Sequence, residues 1–105
     1  MIDLEPEHLQ EVRRILRAFV PDCEVWAFGS RVTGKAQKFS DLDLALVAGH
    51  ALDWQRIESL KDAFSASSLP IMVDVVDWRA VSESFQEKIS KSHVVIQKQG
   101  APPVA

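Results

Sequence analysis

The sequence predicts an α/β or α+β domain in which helices pack against a small β-sheet. Short apolar segments of strand length alternate along the chain with longer segments in which apolar residues recur every three or four positions. Gly or Pro stands at most of the boundaries between these segments, as expected for residues that end regular elements. The 105 residues are enough for one hydrophobic core and too few for two.

The N-terminal part of the chain is predicted to form one helix and one buried strand. Residues 5–20 carry an apolar stripe at helical spacing, with Pro6 suited to the first turn and Pro21 ending the helix. The stripe consists of Leu9, Val12, Ile15, Leu16 and Phe19. Residues 24–28 (EVWAF) are short and apolar and stop at Gly29, which is typical of a strand that meets a turn.

The middle of the chain is predicted to contain a polar connection and a second strand. Residues 31–40 are polar and contain Gly34, so at most a short helix begins near Ser30. Residues 41–48 (DLDLALVA) are almost continuously apolar after their two carboxylates, which indicates a strand buried on both faces. Gly49 is predicted to end this strand.

The C-terminal half is predicted to add two helices and two strands. An amphipathic helix fits residues 52–67, followed by a clear β-branched strand over residues 71–76 (IMVDVV). A last helix is predicted over residues 81–91 and a short edge strand over residues 93–97. The order of the strands in the sheet is not readable from the sequence.

Composition narrows the classes of protein to which the chain can belong. A net charge of −3 and a pI near 5.5 argue against strong direct binding of nucleic acid, which needs a basic face. The single cysteine, Cys23, excludes an intrachain disulfide and suits a reducing cytoplasm. No apolar run approaches the length that crosses a membrane. We therefore expect a cytoplasmic domain over residues 1–99 and a flexible tail over residues 100–105.

Two carboxylates open the second predicted strand. Side chains alternate across a sheet, so Asp41 and Asp43 are expected on one face, about 7 Å apart, with Leu42 and Leu44 on the other. Adjacent carboxylates repel one another, and a hard divalent cation such as Mg²⁺ relieves that repulsion. The alternative is that an aspartate at a strand end caps a neighbouring turn.

A third carboxylate, Asp74, stands in the middle of the most apolar predicted strand. An uncompensated charge there costs several kcal/mol, about the penalty for an unpaired buried ion, so a partner is expected. That partner is a metal ion or, in the alternative interpretation, an Arg or Lys in a buried salt bridge. Asp77 is expected to face solvent.

The turn after the first strand, Gly29-Ser30, has features of a phosphate site. Glycine permits close backbone approach or a positive φ, and the Ser30 hydroxyl can bond a phosphate oxygen or cap a helix. Main-chain amides at a strand-to-helix turn bind anions, although Gly-Ser alone is usually an ordinary turn. Gly-Ser, ten residues and then Asp-x-Asp would arise by chance in roughly one such chain in a thousand, so the combination is informative.

The segments GSRVTGKAQKFSDLDLAL and IMVDVVD closely resemble the minimal nucleotidyltransferases of the DNA polymerase β superfamily. The signature of that superfamily is Gly-Ser, ten residues and Asp-x-Asp, and the resemblance in element order covers about residues 5–91. It implies the nucleotidyltransferase fold, with a small mixed β-sheet flanked by helices.

The resemblance also implies roles for the residues of the constellation. Two Mg²⁺ ions and ATP would be bound, with Asp41 and Asp43 as metal ligands. Asp74 would complete the metal site nearest the acceptor and help deprotonate its hydroxyl, which makes the three aspartates the catalytic residues. Gly29 and Ser30 would hold the β- and γ-phosphates. Arg31, and also Lys35, would neutralise the departing pyrophosphate, unless they are solvated loop charges.

A chain of this length lacks the second domain of larger superfamily members, so a homodimer or a separate subunit would complete the cleft. The resemblance implies an adjacently encoded helical HEPN protein, for which the chain acts as antitoxin by transferring AMP to a tyrosine of that protein. The chain itself contains no tyrosine. The alternatives are neutralisation by binding alone, and the catalytic subunit of a two-subunit small-molecule nucleotidyltransferase.

The histidines and tryptophans stand outside this constellation. The histidines lack the spacing of metal ligands and are expected at the surface, at His8, His50 and His93. The tryptophans are expected in the core, with base stacking or a partner interface as the alternative, at Trp26, Trp54 and Trp78.

Overall fold

Eight regular elements follow one another in the predicted order. The computed structural model describes residues 2–38, 40–48 and 52–98. The elements are α1 (Pro6–Phe19), β1 (Glu24–Phe28), α2 (Ser30–Thr33), β2 (Leu42–Val47), α3 (Trp54–Ser65), β3 (Val73–Asp77), α4 (Glu83–Lys91) and β4 (Val94–Gln97). Every predicted helix and strand is confirmed, with boundaries that differ by no more than two residues. The predictions for Gly49 and for the tail lie outside the described residues.

Residues at the starts of the helices explain why the sequence predicts where these helices begin. Pro6 occupies the first turn of α1, where a missing N–H costs nothing. The Asp53 carboxylate accepts a hydrogen bond from Gln55 N at the start of α3 (3.0 Å). The Ser82 hydroxyl accepts one from Phe85 N at the start of α4 (3.2 Å). Each such cap stabilises its helix by about 1 kcal/mol.

The four strands form one mixed sheet in the order β3-β2-β1-β4. Strand β1 pairs antiparallel with both β2 and β4, whereas β2 and β3 are parallel and are connected through α3. The predicted mixed sheet is therefore confirmed, and β4 is an edge strand as expected. Strand β2 is central and has four buried side chains, which confirms its predicted burial on both faces: Leu42, Leu44, Ala45 and Leu46.

The main core lies between one face of the sheet and the helices α1 and α3. Its fully buried side chains include Leu16 of α1, Leu60 of α3, and Leu42 and Leu44 of β2. The opposite face carries a smaller cluster around α4, formed by Phe28, Ala45 and Ile89 together with Trp26, Val76, Trp78 and Phe85. The sheet thus has a large apolar core on one face and a smaller apolar cluster on the other.

Aromatic residues on the α4 side only partly match the prediction. Trp26 and Trp78 are half-buried and pack edge to face, with ring centroids 5.0 Å apart. His93 stacks on Trp26 at 4.0 Å and is half-buried, so it lies only partly at the predicted surface. Trp54 is 69% exposed and does not contribute to the core. His8 is half-buried rather than exposed, and His50 lies outside the described residues.

Cys23 is fully buried, as expected of a structural thiol. Burial is the largest cause that raises the pKa of the Cys23 thiol. The negative charges of Asp22 and Asp77 raise it further, against the lowering effect of Arg56. In the described part of the chain, no helix is long and apolar enough to cross a membrane.

Candidate active site

The sheet register places Asp43 and Asp74 side by side. In the parallel pair, Asp43 of β2 is the Cα partner of Asp74 of β3. On its other side Asp43 is the Cα partner of Phe28 of β1. Partners in a sheet project from the same face, so the three side chains form a row across three strands. This row lies on the α4 side, opposite the face that buries Leu42 and Leu44.

The three aspartates form a region of uncompensated negative charge. Partial burial raises the pKa of the Asp43 carboxyl group, and the charges of Asp74 and then Asp41 raise it further. Asp41 is exposed and directly precedes β2. Over residues 2–38, 40–48 and 52–98, no three His, Cys, Asp or Glu side chains already converge as a metal-binding group. The carboxylates are therefore near enough to repel one another without forming a closed set of ligands.

The predicted setting of Asp74 is wrong. Its strand β3 lies at the edge of the sheet, Asp74 is exposed, and Val75 is the buried residue of the strand. The expected desolvation cost is therefore small, and no ion pair joins Asp74 to a cation among the described residues. Asp77, which was expected to face solvent, is half-buried and accepts a hydrogen bond from Arg79 N (3.0 Å).

The Gly29-Ser30 turn lies directly against the Asp43 carboxylate. Gly29 has φ +83°, and a Cβ atom there would stand 2.3 Å from Oδ2 of Asp43. Both predicted reasons for glycine, the positive φ and the close backbone approach, are therefore found. Ser30 is half-buried and begins α2, and its hydroxyl makes no hydrogen bond within the described part of the chain. The hydroxyl is thus available to a ligand.

The Arg31 side chain is buried and bonded to the backbone of the chain. It is 8% exposed, and its guanidinium donates hydrogen bonds to the carbonyl oxygens of four residues: Asp3, Gln37, Lys38 and Ser40. A buried cation must be compensated, and here backbone carbonyl dipoles compensate it. The alternative of a solvated loop charge is wrong for Arg31, whereas Lys35 is exposed as that alternative expected. The role of Arg31 toward the departing pyrophosphate stays a prediction.

Two aromatic residues beside the site were missed in the sequence. Phe28 adjoins Asp43 in the register, and Phe85 of α4 packs edge to face on Phe28 with ring centroids 5.7 Å apart. The alternation of β1 indicates that Phe28 and Trp26 share a face, but the sequence does not show which helix covers that face. Helix α4 therefore packs, through Phe85, on the residue that adjoins Asp43 in the sheet.

Comparisons with known proteins agree with this geometry. The family described as "Polymerase beta, Nucleotidyltransferase" matches residues 10–100. The "Probable protein adenylyltransferase MntA" of Haemophilus influenzae is 53% identical over 97 residues, which cover 92% of this chain and 85% of the relative.

Two solved structures show the same arrangement of elements. A toxin-antitoxin crystal structure with AMP-PNP has a TM-score of 0.73 and 26% identity, and the match covers 88% of this chain and 74% of that one. A structure named for a minimal nucleotidyltransferase has a TM-score of 0.67 and 26% identity, and the match covers 87% of this chain and 95% of that one. The resemblance found in the sequence is confirmed: the chain belongs to the polymerase beta nucleotidyltransferase family and is one of its minimal nucleotidyltransferases.

Proposed function

We propose that this chain transfers AMP from ATP, with Mg²⁺, to a tyrosine hydroxyl of a helical HEPN-type protein and so acts as its antitoxin. The placement of Asp43 beside Asp74, with the Gly29 backbone against Asp43, is the observation that carries this proposal. The comparisons support it, because the relative from Haemophilus influenzae is named as a protein adenylyltransferase. The similar structure with AMP-PNP is a toxin-antitoxin complex that contains an ATP analogue.

The donor atoms of the site suit Mg²⁺. Asp41 and Asp43 would hold two ions, and Asp74 would complete the ion site nearest the acceptor. Carboxylate oxygens are the ligands that Mg²⁺ prefers. Burial, and then the charges of Asp74 and Asp41, raise the pKa of Asp43, and a bound cation would favour its charged form. When bound, the ions would stabilise charge on the attacking and leaving oxygens of the displacement.

The residues of the chain would position the reactants. Ser30 would donate its free hydroxyl to a phosphate oxygen, and the Gly29 turn would let the triphosphate approach the backbone. Asp74 would accept the proton of the acceptor hydroxyl as the acceptor oxygen bonds to the α-phosphorus. The bond from the α-phosphorus to the bridging oxygen breaks, and pyrophosphate leaves. The exposure of Asp74 suits this role, because an acceptor from another molecule can reach it.

The acceptor is proposed to lie on a different polypeptide. The chain has no tyrosine, so it cannot accept AMP on a tyrosine of its own. Asp74 lies on the edge strand β3, where no further strand of the described sheet separates it from a partner. We place the complex in the cytoplasm, where ATP is abundant and the Cys23 thiol stays reduced.

The test is transfer of label from ATP to the partner. The chain is incubated with Mg²⁺, ATP labelled at the α-phosphate, and the helical protein encoded beside it. The partner is expected to become labelled at tyrosine, and Asp41→Asn or Asp43→Asn is expected to abolish labelling. Asp62→Asn, which removes an exposed carboxylate from α3, is the matched control and should label normally. Absence of labelling by the wild-type chain with Mg²⁺ or Mn²⁺ would overturn the proposal.

Binding alone is the alternative that this experiment also distinguishes. If the chain neutralised its partner without chemistry, Asp43→Asn would bind and inhibit the partner as well as the wild-type chain does. Labelling of a small hydroxyl compound, and not of the protein, would instead indicate a small-molecule nucleotidyltransferase.

A further inference from the structure

The side chain of Arg31 makes the densest set of polar contacts near the site. Its Nε donates to Ser40 O (3.0 Å) and its Nη1 to Asp3 O (2.9 Å). Its Nη2 donates to Lys38 O (3.2 Å), with a longer contact to Gln37 O (3.4 Å). All four acceptors are backbone carbonyls, so one side chain joins the N-terminal segment to the connection between α2 and β2.

We infer that Arg31 is a positioning residue, which holds this connection so that Asp41 and Asp43 stand correctly beside the Gly29-Ser30 turn. The inference rests on the proposed function. Arg31 directly follows Ser30, and its acceptor Ser40 directly precedes Asp41. The guanidinium, carried by α2, therefore holds the end of this connection that leads into Asp41, and it links the Gly29-Ser30 turn to the first carboxylate.

Further hydrogen bonds join described residues of the connection near this guanidinium. The Ser40 hydroxyl accepts a hydrogen bond from Gln37 N (2.8 Å), and Ser40 N donates to Gln37 O (3.1 Å). Within α2, Arg31 O accepts a hydrogen bond from Asp3 N (2.7 Å), a second link between the N-terminal segment and this residue. Gly34 ends α2 with φ +83° and lets the chain turn into the connection.

Arginine has the geometry that this position requires. A guanidinium presents five N–H donors in one plane, so it can reach carbonyls that lie in different directions. A lysine ammonium is a single point of charge and cannot span the same acceptors. Removal of the side chain would take away the hydrogen bonds that these carbonyls accept from it. Three of the four carbonyls belong to the segment that leads into Asp41, so the loss would loosen that segment.

The direct test uses limited proteolysis, which does not depend on catalysis. Trypsin cuts after Lys35 and Lys38, both exposed in the connection. Arg31→Met is expected to accelerate cleavage after Lys38 by about tenfold, since the lost hydrogen bonds no longer oppose local opening. Lys35→Met, an exposed cation in the same connection, is the control and should leave that cleavage rate unchanged.

Enzyme kinetics separate positioning from direct phosphate contact. Arg31→Met is expected to raise the Mg²⁺ concentration that gives half-maximal labelling by about tenfold, because a displaced Asp41 binds metal less tightly. Saturating Mg²⁺ should restore most of the rate with little change in the KM for ATP. Arg31→Lys, which keeps the charge but cannot span the acceptors, is expected to show the same shift to a smaller extent.

The results for the Arg31 variants can be told apart from a failure of the proposed AMP transfer. A raised KM for ATP that excess Mg²⁺ does not correct would assign Arg31 to phosphate binding and overturn the inference. Unchanged proteolysis in both Arg31 variants would overturn it as well. If the wild-type chain transferred nothing, the proposed function would fail, while proteolysis would still decide whether Arg31 holds the connection. Circular dichroism checks folding, and Arg31→Lys carries the test if Arg31→Met does not fold.

Discussion

The backbone of Gly29 lies against the carboxylate of Asp43, because a Cβ atom at position 29 would stand only 2.3 Å from Oδ2 of Asp43. The glycine of the signature is therefore required by a side chain of the same constellation, as well as by its positive φ. Gly34 has the same φ of +83° but has nothing within 4 Å of the place where a Cβ atom would lie. A substitution at Gly34 would therefore meet only the unfavourable φ, whereas a substitution at Gly29 would also clash with the Asp43 side chain.

Gly29→Ala is expected to lower the rate of AMP transfer by at least about a hundredfold. The added methyl group must displace the Asp43 carboxylate, and misplacement of a catalytic group by about 1 Å has an effect of that size. Gly34→Ala is expected to cost about 1 kcal/mol in the free energy of unfolding, from the positive φ alone, with transfer preserved. Labelling assays and thermal unfolding of both variants check these expectations. Transfer by Gly29→Ala within about threefold of wild type would contradict the first of them.

Asp43→Asn is expected to stabilise the metal-free protein while it abolishes transfer. The amide occupies nearly the same volume, but it removes a half-buried charge that Asp74 and Asp41 repel. A gain of about 3 °C in the melting temperature at low ionic strength corresponds to a few tenths of a kcal/mol. Mg²⁺ should then raise the melting temperature of the wild-type chain more than that of the variant. A lower melting temperature for Asp43→Asn than for wild type, with Asp62→Asn unchanged, would refute the repulsion.

Asp74→Asn is expected to lower the rate of AMP transfer while leaving the stability of the fold almost unchanged. Because Asp74 is exposed, its substitution should change the free energy of unfolding by less than about 0.5 kcal/mol. Loss of a proton acceptor should lower the transfer rate by about a hundredfold or more, with ATP binding retained through Asp41 and Asp43. Calorimetric titration with ATP and the labelling assay measure the two effects.

Asp77→Ala is the matched comparison from the same strand and should give the opposite result. It removes the hydrogen bond from Arg79 N, so the protein should lose about 1 kcal/mol of stability, as when a capping side chain is lost. Transfer should remain near the wild-type rate. A catalytic defect in Asp77→Ala as large as that in Asp74→Asn would show that β3 as a whole, and not the Asp74 carboxylate, is required.

Cys23 is expected to resist thiol reagents in the folded protein. Its side chain is fully buried, and burial raises the pKa of the thiol, so less of the reactive thiolate is present at pH 8 than for a free cysteine. Reaction with Ellman's reagent should be about a hundredfold slower than in urea. The folded state disfavours the thiolate, so this contribution to stability is present below the ordinary thiol pKa and is lost as the pH rises above it. Rapid labelling without urea would show that the region around Cys23 opens readily.

The sequence predicted the elements and the constellation because both depend on local patterns. The apolar spacing of residues 5–20 and the capping residues fix helices within a few positions. The interval between Gly29-Ser30 and Asp41 is a property of the chain itself. Side chains alternate along every β-strand, so the opposite orientation of Asp43 and Leu44 follows from their adjacent positions in β2.

The setting of Asp74 could not be predicted, because strand order is a tertiary property. An apolar run such as IMVDVV suggests a central strand, yet β3 lies at the edge and leaves Asp74 open to solvent. Helix α3 connects β2 to β3, and β3 then pairs parallel with the free side of β2. The expected desolvation of Asp74 was therefore wrong, although Asp74 does lie beside Asp43.

The sequence by itself determined which residue types are present and at what spacing: a glycine that tolerates a positive φ, a hydroxyl after it, and two alternate carboxylates at the start of a strand. Only the tertiary structure decided which of them meet. Pairing of β2 with β3 brings Asp74 beside Asp43 across thirty residues of chain. The fold also buries the Arg31 side chain, whose guanidinium donates hydrogen bonds to backbone carbonyl groups. Both outcomes depend on contacts between distant segments, and such contacts leave no periodic signal in the sequence.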